Sequence, residues 1–240
     1  MAITRLPLRR TVGWLAILSA PLANANVLLA LLAVNLNLNV FSDPDAGLRV
    51  IAASAQSQTL TELSLIADML GFYLLVVPIA LLLREKLKGT QPYLATLFTV
   101  FGLGYLFFGA LGASVLVLLI PHQLILYTQT VGADSQTHFA IAAAFSDAIY
   151  NGLWAILDPV LSGVWWLGVG ILLWRQWRFV SVVSILAAVA SFLMLTKVAS
   201  IDIVGLFAYY ILAPLWALTL GVRVLTLREP ITGADSETSA

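Results

Sequence analysis

The sequence predicts an all-α protein, a polytopic bundle of six transmembrane helices, from its composition and its charge pattern. Hydrophobic residues make up 61% of the 240-residue chain, charged residues make up 10%, and the mean hydropathy is +0.98. A soluble domain of this length needs a charged surface, which so few ionisable groups cannot form. Ten of the twelve Lys and Arg residues also fall at alternate ends of six apolar segments. Membrane lipid is therefore the expected surrounding of most of the chain.

Six apolar segments are long enough to cross a hydrocarbon core of about 30 Å, which takes about 20 helical residues. Their ranges are 12–38, 61–83, 92–120, 148–174, 179–197 and 201–226. If these segments alternate in direction, ten basic residues lie on one side: Arg5, Arg9, Arg10, Arg84, Lys86, Lys88, Arg175, Arg178, Arg223 and Arg228. Basic residues favour the cytoplasmic side, so both termini are expected there. The chain then divides into a basic N-terminus (1–11), a membrane domain (12–226) and a disordered cytoplasmic tail (227–240).

Two stretches allow more than one interpretation. Residues 23–25 read Ala-Asn-Ala, a possible signal-peptide cleavage site, but the apolar run continues beyond them and favours an uncleaved first helix. Residues 135–174 would measure about 60 Å as one helix, twice the length of a span. We expect this helix to be capped by Asp134 or Ser135 outside the membrane and to enter the bilayer near Trp154.

Composition excludes several kinds of site. The formal net charge is zero, which gives no reason to expect nucleic acid as a partner. The chain has no cysteine, so disulfides, thiolate nucleophiles and Cys-ligated metals are excluded. It has two histidines, His122 and His138, too few for a three-His catalytic metal site. Their spacing makes only a weak metal site with Asp134 or Asp147, and we predict no metal and no cofactor.

Four charged residues from four predicted helices share one layer beneath the outer interface. At 1.5 Å per residue from the basic ends, the distances are about 24 Å for Asp68, 26 Å for Asp158, 28 Å for Lys197 and 32 Å for Asp202. Charges at this depth are costly, so they are expected to face each other or water. We expect Lys197 to pair with Asp158 or Asp202, which leaves the layer acidic.

Helical spacing groups further polar residues with these acids. Asp147, Asn151, Trp154 and Asp158 are 4, 3 and 4 residues apart, which predicts one helix face. Thr61, Ser64 and Asp68 form a second face by the same spacing. Asn24 and Asn26 lie beside Pro21 in the first helix, where they could line a ligand site. More often such residues bond a neighbouring helix or a backbone carbonyl freed by the proline.

These patterns allow three functions. The first is a binding, sensory or transport component whose outward-facing acidic pocket takes a small cation, a proton or a lipid-like ligand. The second is a membrane-embedded enzyme that uses Asp68 and Asp158 as acid and base on a lipid-like substrate. The third is a structural assembly subunit, with oligomers formed through the Gly-rich helices and charges that only hold helices together. The candidate ligand-binding residues are Asp68, Asp158, Asp147, Asn151, Lys197 and Asp202.

The layout of the chain resembles a family of bacterial six-helix membrane proteins, the domain of unknown function 4386 family. The resemblance rests on Ile66-Ala67-Asp68 in the second span, the Leu-rich run into Arg84, the Gly-rich third span and the fourth span, which ends in Trp174-Arg175. It covers roughly residues 10–225, and the proline usual in the turn after span four is absent from residues 175–178. The resemblance implies a multi-pass protein of the bacterial cytoplasmic membrane and implies no activity and no site residue.

Overall fold

The computed structural model describes residues 5–37, 44–89, 91–196 and 198–226, and all regular structure within these ranges is helical. Its α-helices are α1 (Arg5–Ala33), α2 (Pro44–Ala52), α3 (Ala55–Asp68), α4 (Val77–Leu87), α5 (Pro92–Gln129), α6 (Ala133–Asp147), α7 (Asp158–Leu173), α8 (Arg178–Met194) and α9 (Ala199–Thr226). A first π-segment (Met69–Tyr73) and a 3₁₀ turn (Leu74–Val76) join α3 to α4, and a second π-segment (Ala148–Leu157) joins α6 to α7. We call residues 69–76 the helix break. The predicted tail, 227–240, lies outside the described residues.

Five helical stretches in this part of the chain are long and apolar enough to cross a membrane. They are Leu8–Ala33, Ala55–Leu87, Pro92–Gln129, Ala133–Leu173 and Ile203–Thr226. Helix α8 is also apolar, but its 17 residues give about 26 Å at the helical rise. The all-α fold is confirmed, and the five long apolar helices indicate a multi-pass membrane protein. We refer to α1, α3–α4, α5, α6–α7, α8 and α9 as rods one to six.

The six rods form a closed ring in the order of the chain. Each rod packs against the one before it, and α9 returns to pack along α1. At this last contact the two backbones come close. A Cβ atom added to Gly221 would lie 2.7 Å from the carbonyl oxygen of Gly13. Glycine on both helices therefore permits an approach that larger residues would prevent.

Two apolar clusters fill the ring at different heights. The larger one is rich in aromatic rings, whose centroids lie 5.1 to 6.4 Å apart in neighbouring pairs. We call seven of its rings, which contact one another, the aromatic core: Phe72, Tyr73, Tyr105, Trp165, Trp166, Tyr209 and Trp216. The smaller cluster joins α2 and α6 to α3 and α5, with Leu48, Leu65, Leu116 and Phe139 among its members. Helices α2 and α6 thus cover one end of the bundle.

Basic residues from different rods meet at the opposite end. Trp177, in the turn between rods four and five, is buried, with Lys86 Nζ 4.8 Å and the Arg223 guanidinium 5.7 Å from its ring centroid. Both cations are placed to interact with the indole ring. Arg49, which is not among the ten basic residues expected on one side, lies over Phe139 in the smaller cluster. The structure therefore puts Lys86 and Arg223 at one end and Arg49 at the other.

Helix α1 ends earlier than the sequence indicated. The predicted first span reached residue 38, whereas α1 ends at Ala33 and a turn follows. Asn35 and Leu36 have φ angles of 55° and 57°, in the left-handed region that ends helices. The apolar pattern does not reveal this ending because Leu36 continues the run of hydrophobic residues.

The fourth rod is helical from Ala133 to Leu173, as its length predicted, but its predicted cap is wrong. Helix α6 begins after Gly132, whose φ of 68° turns the chain, and no side chain caps this end. Ser135 donates its hydroxyl hydrogen to the carbonyl oxygen of Tyr127 at 2.8 Å instead. The residue expected to cap α6 therefore joins it to α5.

Candidate functional site

Asp68 ends helix α3 inside the bundle, where 7% of its surface is exposed. Asn26 of α1 donates a hydrogen bond from Nδ2 to Asp68 Oδ1 at 2.7 Å. Ser64, one turn before Asp68, donates its hydroxyl to Asn26 Oδ1 at 2.7 Å. Asp68 Oδ2 is enclosed and has no hydrogen-bond partner among the described residues. The expectation that Asn26 bonds a neighbouring helix is confirmed, with Asp68 as one partner.

Asp158 begins helix α7 and is 4% exposed. The hydroxyl of Tyr73 donates to Asp158 Oδ2 at 2.9 Å, which links the second rod to the fourth. Asp158 Oδ1 is enclosed and, within the described part of the chain, has no partner. Each of the two acids thus has one hydrogen-bonded oxygen and one unbonded oxygen.

Irregular helix geometry adjoins both acids. Asp68 directly precedes the first π-segment, which Tyr73 ends, and Asp158 directly follows the second π-segment. A π-helix has hydrogen bonds between residues five apart, so it holds more residues per turn than an α-helix; it is rare and occurs often at functional sites. Tyr73, which bonds Asp158, ends the π-segment that Asp68 directly precedes, so the two acids lie on rods that are joined through this segment. We call Asp68 and Asp158 the carboxyl pair.

Tyrosines of the aromatic core surround this pair. The hydroxyl groups of Tyr105 and Tyr209 are hydrogen-bonded to each other at 2.9 Å. The Tyr105 hydroxyl also donates to the carbonyl oxygen of Phe72, in the first π-segment, at 3.3 Å. The Tyr73 and Tyr105 rings are 5.3 Å apart. Sequence reasoning did not select these tyrosines, because aromatic residues in an apolar helix usually indicate packing.

The pair has no cationic partner in the part of the chain that the structure describes. Neither acid forms an ion pair there with Lys or Arg. Lys197 and the side chain of Asp202 lie outside the described residues. The predicted pairing of Lys197 with Asp158 or Asp202 therefore stays a prediction.

Asp147 and Asn151 do not join the pair. Both are exposed, and Asn151 Nδ2 donates to Asp147 Oδ1 at 2.5 Å. The predicted single face over residues 147–158 assumed an α-helix, whereas residues 148–157 form the second π-segment. Because a π-turn holds more residues than an α-turn, the eleven-residue step from Asp147 to Asp158 no longer returns to the same face, although Asn151 still reaches Asp147. The predicted single face is therefore wrong at the buried Asp158, and the binding roles of the exposed Asp147 and Asn151 stay predictions.

The unbonded carboxyl oxygens of Asp68 and Asp158 are enclosed in the described part of the chain, and the expected outward-opening pocket stays a prediction. A cavity of about 10 Å³, room for one water molecule, lies beside the aromatic core. Tyr105, Trp166 and Gly71 line it, and neither acid does. Asp68 and Asp158 are therefore held in a closed interior.

A metal site is not formed by the described residues, which bring no three His, Asp or Glu side chains together. His138 Nδ1 instead lies 2.9 Å from Gln123 Oε1. The pairing of a ring nitrogen with an amide links α6 to α5.

The Gly-rich helices pack within the chain. A Cβ atom on Gly109 would lie 1.9 Å from the Tyr73 ring, and one on Gly102 would lie 2.5 Å from Trp165. The rings of Phe192 and Phe98, from other rods, pack in the same way against Gly163 and Gly168. Because these faces are occupied, an oligomer formed through them would displace internal contacts.

The fold and the carboxyl pair define a class, the all-α multi-pass membrane protein with buried acids in its interior. Comparisons of the chain with known protein families, with curated proteins and with solved structures find no match.

Proposed function

We propose that the protein is a non-enzymatic binding, sensory or transport component of the membrane, and that Asp68 and Asp158 bind its ligand. The observation that carries the proposal is the enclosed, unbonded oxygen on each acid. A buried acidic oxygen without a partner is costly in free energy, and a bound proton or cation removes much of that cost. A small positive ligand is therefore the chemical complement of the carboxyl pair.

The proposed topology has six spans, with α8 as the fifth crossing and both termini in the cytoplasm. The place of α8 in the ring supports this count, because it packs between α7 and α9. Lys86 and Arg223 lie over Trp177 at the same end of the bundle. This supports rods that alternate in direction across the membrane. The bacterial cytoplasmic membrane is part of this proposal as the location, and it rests only on the expected resemblance to the domain of unknown function 4386 family, for which no family model matches.

The enzyme alternative and the lipid-like ligand lack such support. Each needs a cavity that reaches the acids and holds an organic molecule, which takes roughly 300 Å³ or more. The cavity beside the aromatic core has room for one water molecule and is not lined by either acid. A structural subunit remains the simplest competitor, and it predicts no response to any ligand.

The test compares ligand responses in purified protein. The thermal stability of the wild type in nanodiscs is expected to change with pH, with sodium replacing choline as the salt cation, or with both. Asp68→Asn and Asp158→Asn should fold and should lose the response, because a neutral amide keeps the shape and removes the charge. Asp147→Asn is the matched control on an exposed acid and should respond as the wild type does. Wild-type responses in both interior variants would contradict the proposal.

A further inference from the structure

We propose that the ligand of the carboxyl pair is a proton, and that losing it loosens the helix break of the second rod. This inference rests on the proposed function and specifies both its ligand and its effect on the fold.

Enclosure of the acids favours a proton over a metal cation. Cations such as Ca²⁺ need about six to eight oxygen ligands, whereas the pair offers two unbonded oxygens. The described residues provide no further acid or histidine to complete a metal shell. A proton needs one oxygen and no added volume, so it fits a closed site.

The groups that face the pair stay neutral at physiological pH. They are the phenols of Tyr73 in the first π-segment, Tyr105 in α5, and Tyr209 and Tyr210 in α9, together with Tyr150 of the second π-segment, whose side chain is 46% exposed. Helix α1 contributes the uncharged amide of Asn26. A free phenol ionises near pH 10 and a free carboxyl group near pH 4. The carboxyl groups are therefore the ones whose charge changes in this part of the interior.

The helix break is held by bonds to the same carboxyl groups. Asp68, directly before the break, is bonded to Asn26 of α1, and Tyr73 within the break is bonded to Asp158 of α7. Tyr73 has backbone angles of −121° and −70°, outside the α region. A Cβ atom on Gly71 would lie 2.3 Å from the backbone nitrogen of Ala23, so the break also follows the surface of α1 closely. Its shape thus depends on bonds to the first and fourth rods.

Charge on both acids would oppose this arrangement. Two carboxylates in a low-dielectric interior repel one another and have no described cation to offset them. Water must then enter or the acids must separate. The break can move at lower cost than α3 or α4, because its irregular turns are not part of a continuous α-helical hydrogen-bond ladder. Deprotonation is therefore expected to loosen residues 69–76.

Infrared difference spectra between about pH 5 and about pH 9, below the range in which a free tyrosine ionises, test the ligand. The wild type should show a carbonyl band from a buried protonated carboxyl group at low pH, and this band should weaken at high pH. Asp68→Asn and Asp158→Asn should each remove part of the band. Asp147→Asn should leave it unchanged, since Asp147 is exposed.

Spin labels test the coupling to the break. The chain has no cysteine, so a label can be attached at one introduced cysteine. Leu74 lies in the break, Leu63 before it and Leu81 after it, and all three are exposed leucines of the second rod. Label mobility at position 74 should rise with pH, while labels at 63 and 81 should stay unchanged. In Tyr73→Phe, which keeps both acids and removes the bond, the label at 74 should be mobile at low pH as well.

The outcomes separate this inference from the proposed function. A sodium response without a protonated-carboxyl band would overturn the proton and leave a ligand at the pair. A band that titrates while the label at 74 stays unchanged would overturn the coupling alone. Interior variants that respond to both sodium and pH like the wild type would remove the proposed function itself.

Discussion

Asn26 has one amide orientation that suits both of its neighbours. Ser64 donates to its oxygen, so its nitrogen is free to donate to Asp68. The same Ser64 hydroxyl lies 3.0 Å from the Asn26 backbone oxygen, which holds α3 against α1. One amide therefore decides which oxygen of Asp68 is bonded and which is left for a ligand.

Replacing Asn26 should affect stability more than replacing its neighbour Asn24. In Asn26→Leu, Asp68 Oδ1 loses its partner inside the membrane, and the Ser64 hydroxyl keeps only the backbone oxygen of residue 26 as an acceptor. We expect a loss of about 1–2 kcal/mol in the free energy of unfolding, measured by denaturation in bicelles.

Asn24→Leu is the matched control, because Asn24 is two residues away on the same helix and exposed. This variant should be nearly neutral. Equal losses in both variants would show that the interior bond contributes little.

The two interior acids could be located from the sequence, whereas their partners could not. A charge in an apolar helix stands out, and counting residues from the basic ends gives its depth. Tyr73 lies five residues after Asp68, a spacing that places it off the Asp68 face of an α-helix. Only the π-geometry of residues 69–73 and the fold of the ring bring Tyr73 to Asp158.

Within single helices, the two π-segments limited how well the spacing of residues in the sequence could predict which side chains share a face. The existence of the helices follows from the length of the apolar runs. Helices α8 and α9 begin and end within a few residues of the predicted bounds. Helix α7 ends close to its predicted bound but begins at Asp158, after the second π-segment. The register of side chains on a helix depends on the number of residues per turn, which the apolar pattern does not report. Every residue of 148–157 is compatible with an α-helix, so the wrong face was predicted there.

A glycine on α5 makes the position of the Tyr73 ring possible. Gly109→Ala would place a methyl group 1.9 Å from that ring, so the ring must move away from Asp158. We expect a loss of about 1–3 kcal/mol from overpacking, measured as unfolding in bicelles, and a mobile label at position 74.

Gly104→Ala is the control on the same helix, where the added methyl group would meet Leu161 at 3.5 Å, an ordinary contact. Alanine favours a helix over glycine by up to about 1 kcal/mol, so this variant should be unchanged or slightly more stable. A tolerated Gly109→Ala would mean that the Tyr73 ring is not confined.

The two ends of the whole bundle differ both in their basic residues and in the helices that cover them. Lys86 and Arg223 approach the same indole ring from the second and sixth rods. At the other end, helices α2 and α6 cover the bundle and contribute Arg49 and Phe139 to the smaller cluster. A membrane that attracts basic residues to its cytoplasmic side would orient such a molecule in one way.

Reporter fusions test this orientation and the number of crossings. Fusions after Lys88, Arg178 and Arg228 are expected to report the cytoplasm, because they follow the basic ends of alternate rods. Fusions after Gly47 and Gly132 are expected to report the outside. A cytoplasmic signal at Gly132 would contradict six alternating spans, and an outside signal at Arg228 would remove α8 from the count.

The ring in chain order has a consequence for how the molecule is assembled during synthesis. Each rod finds its partner in the rod inserted just before it, so most contacts can form while translation continues. The contact of α9 with α1 is different, because it must wait until the last helix has entered the membrane. Until then the face of α1 that contains Gly13 is not covered by α9, and the ring of rods is not closed. A truncated chain that lacks α9 would keep that ring open, with an edge on which the α9 of another copy could dock.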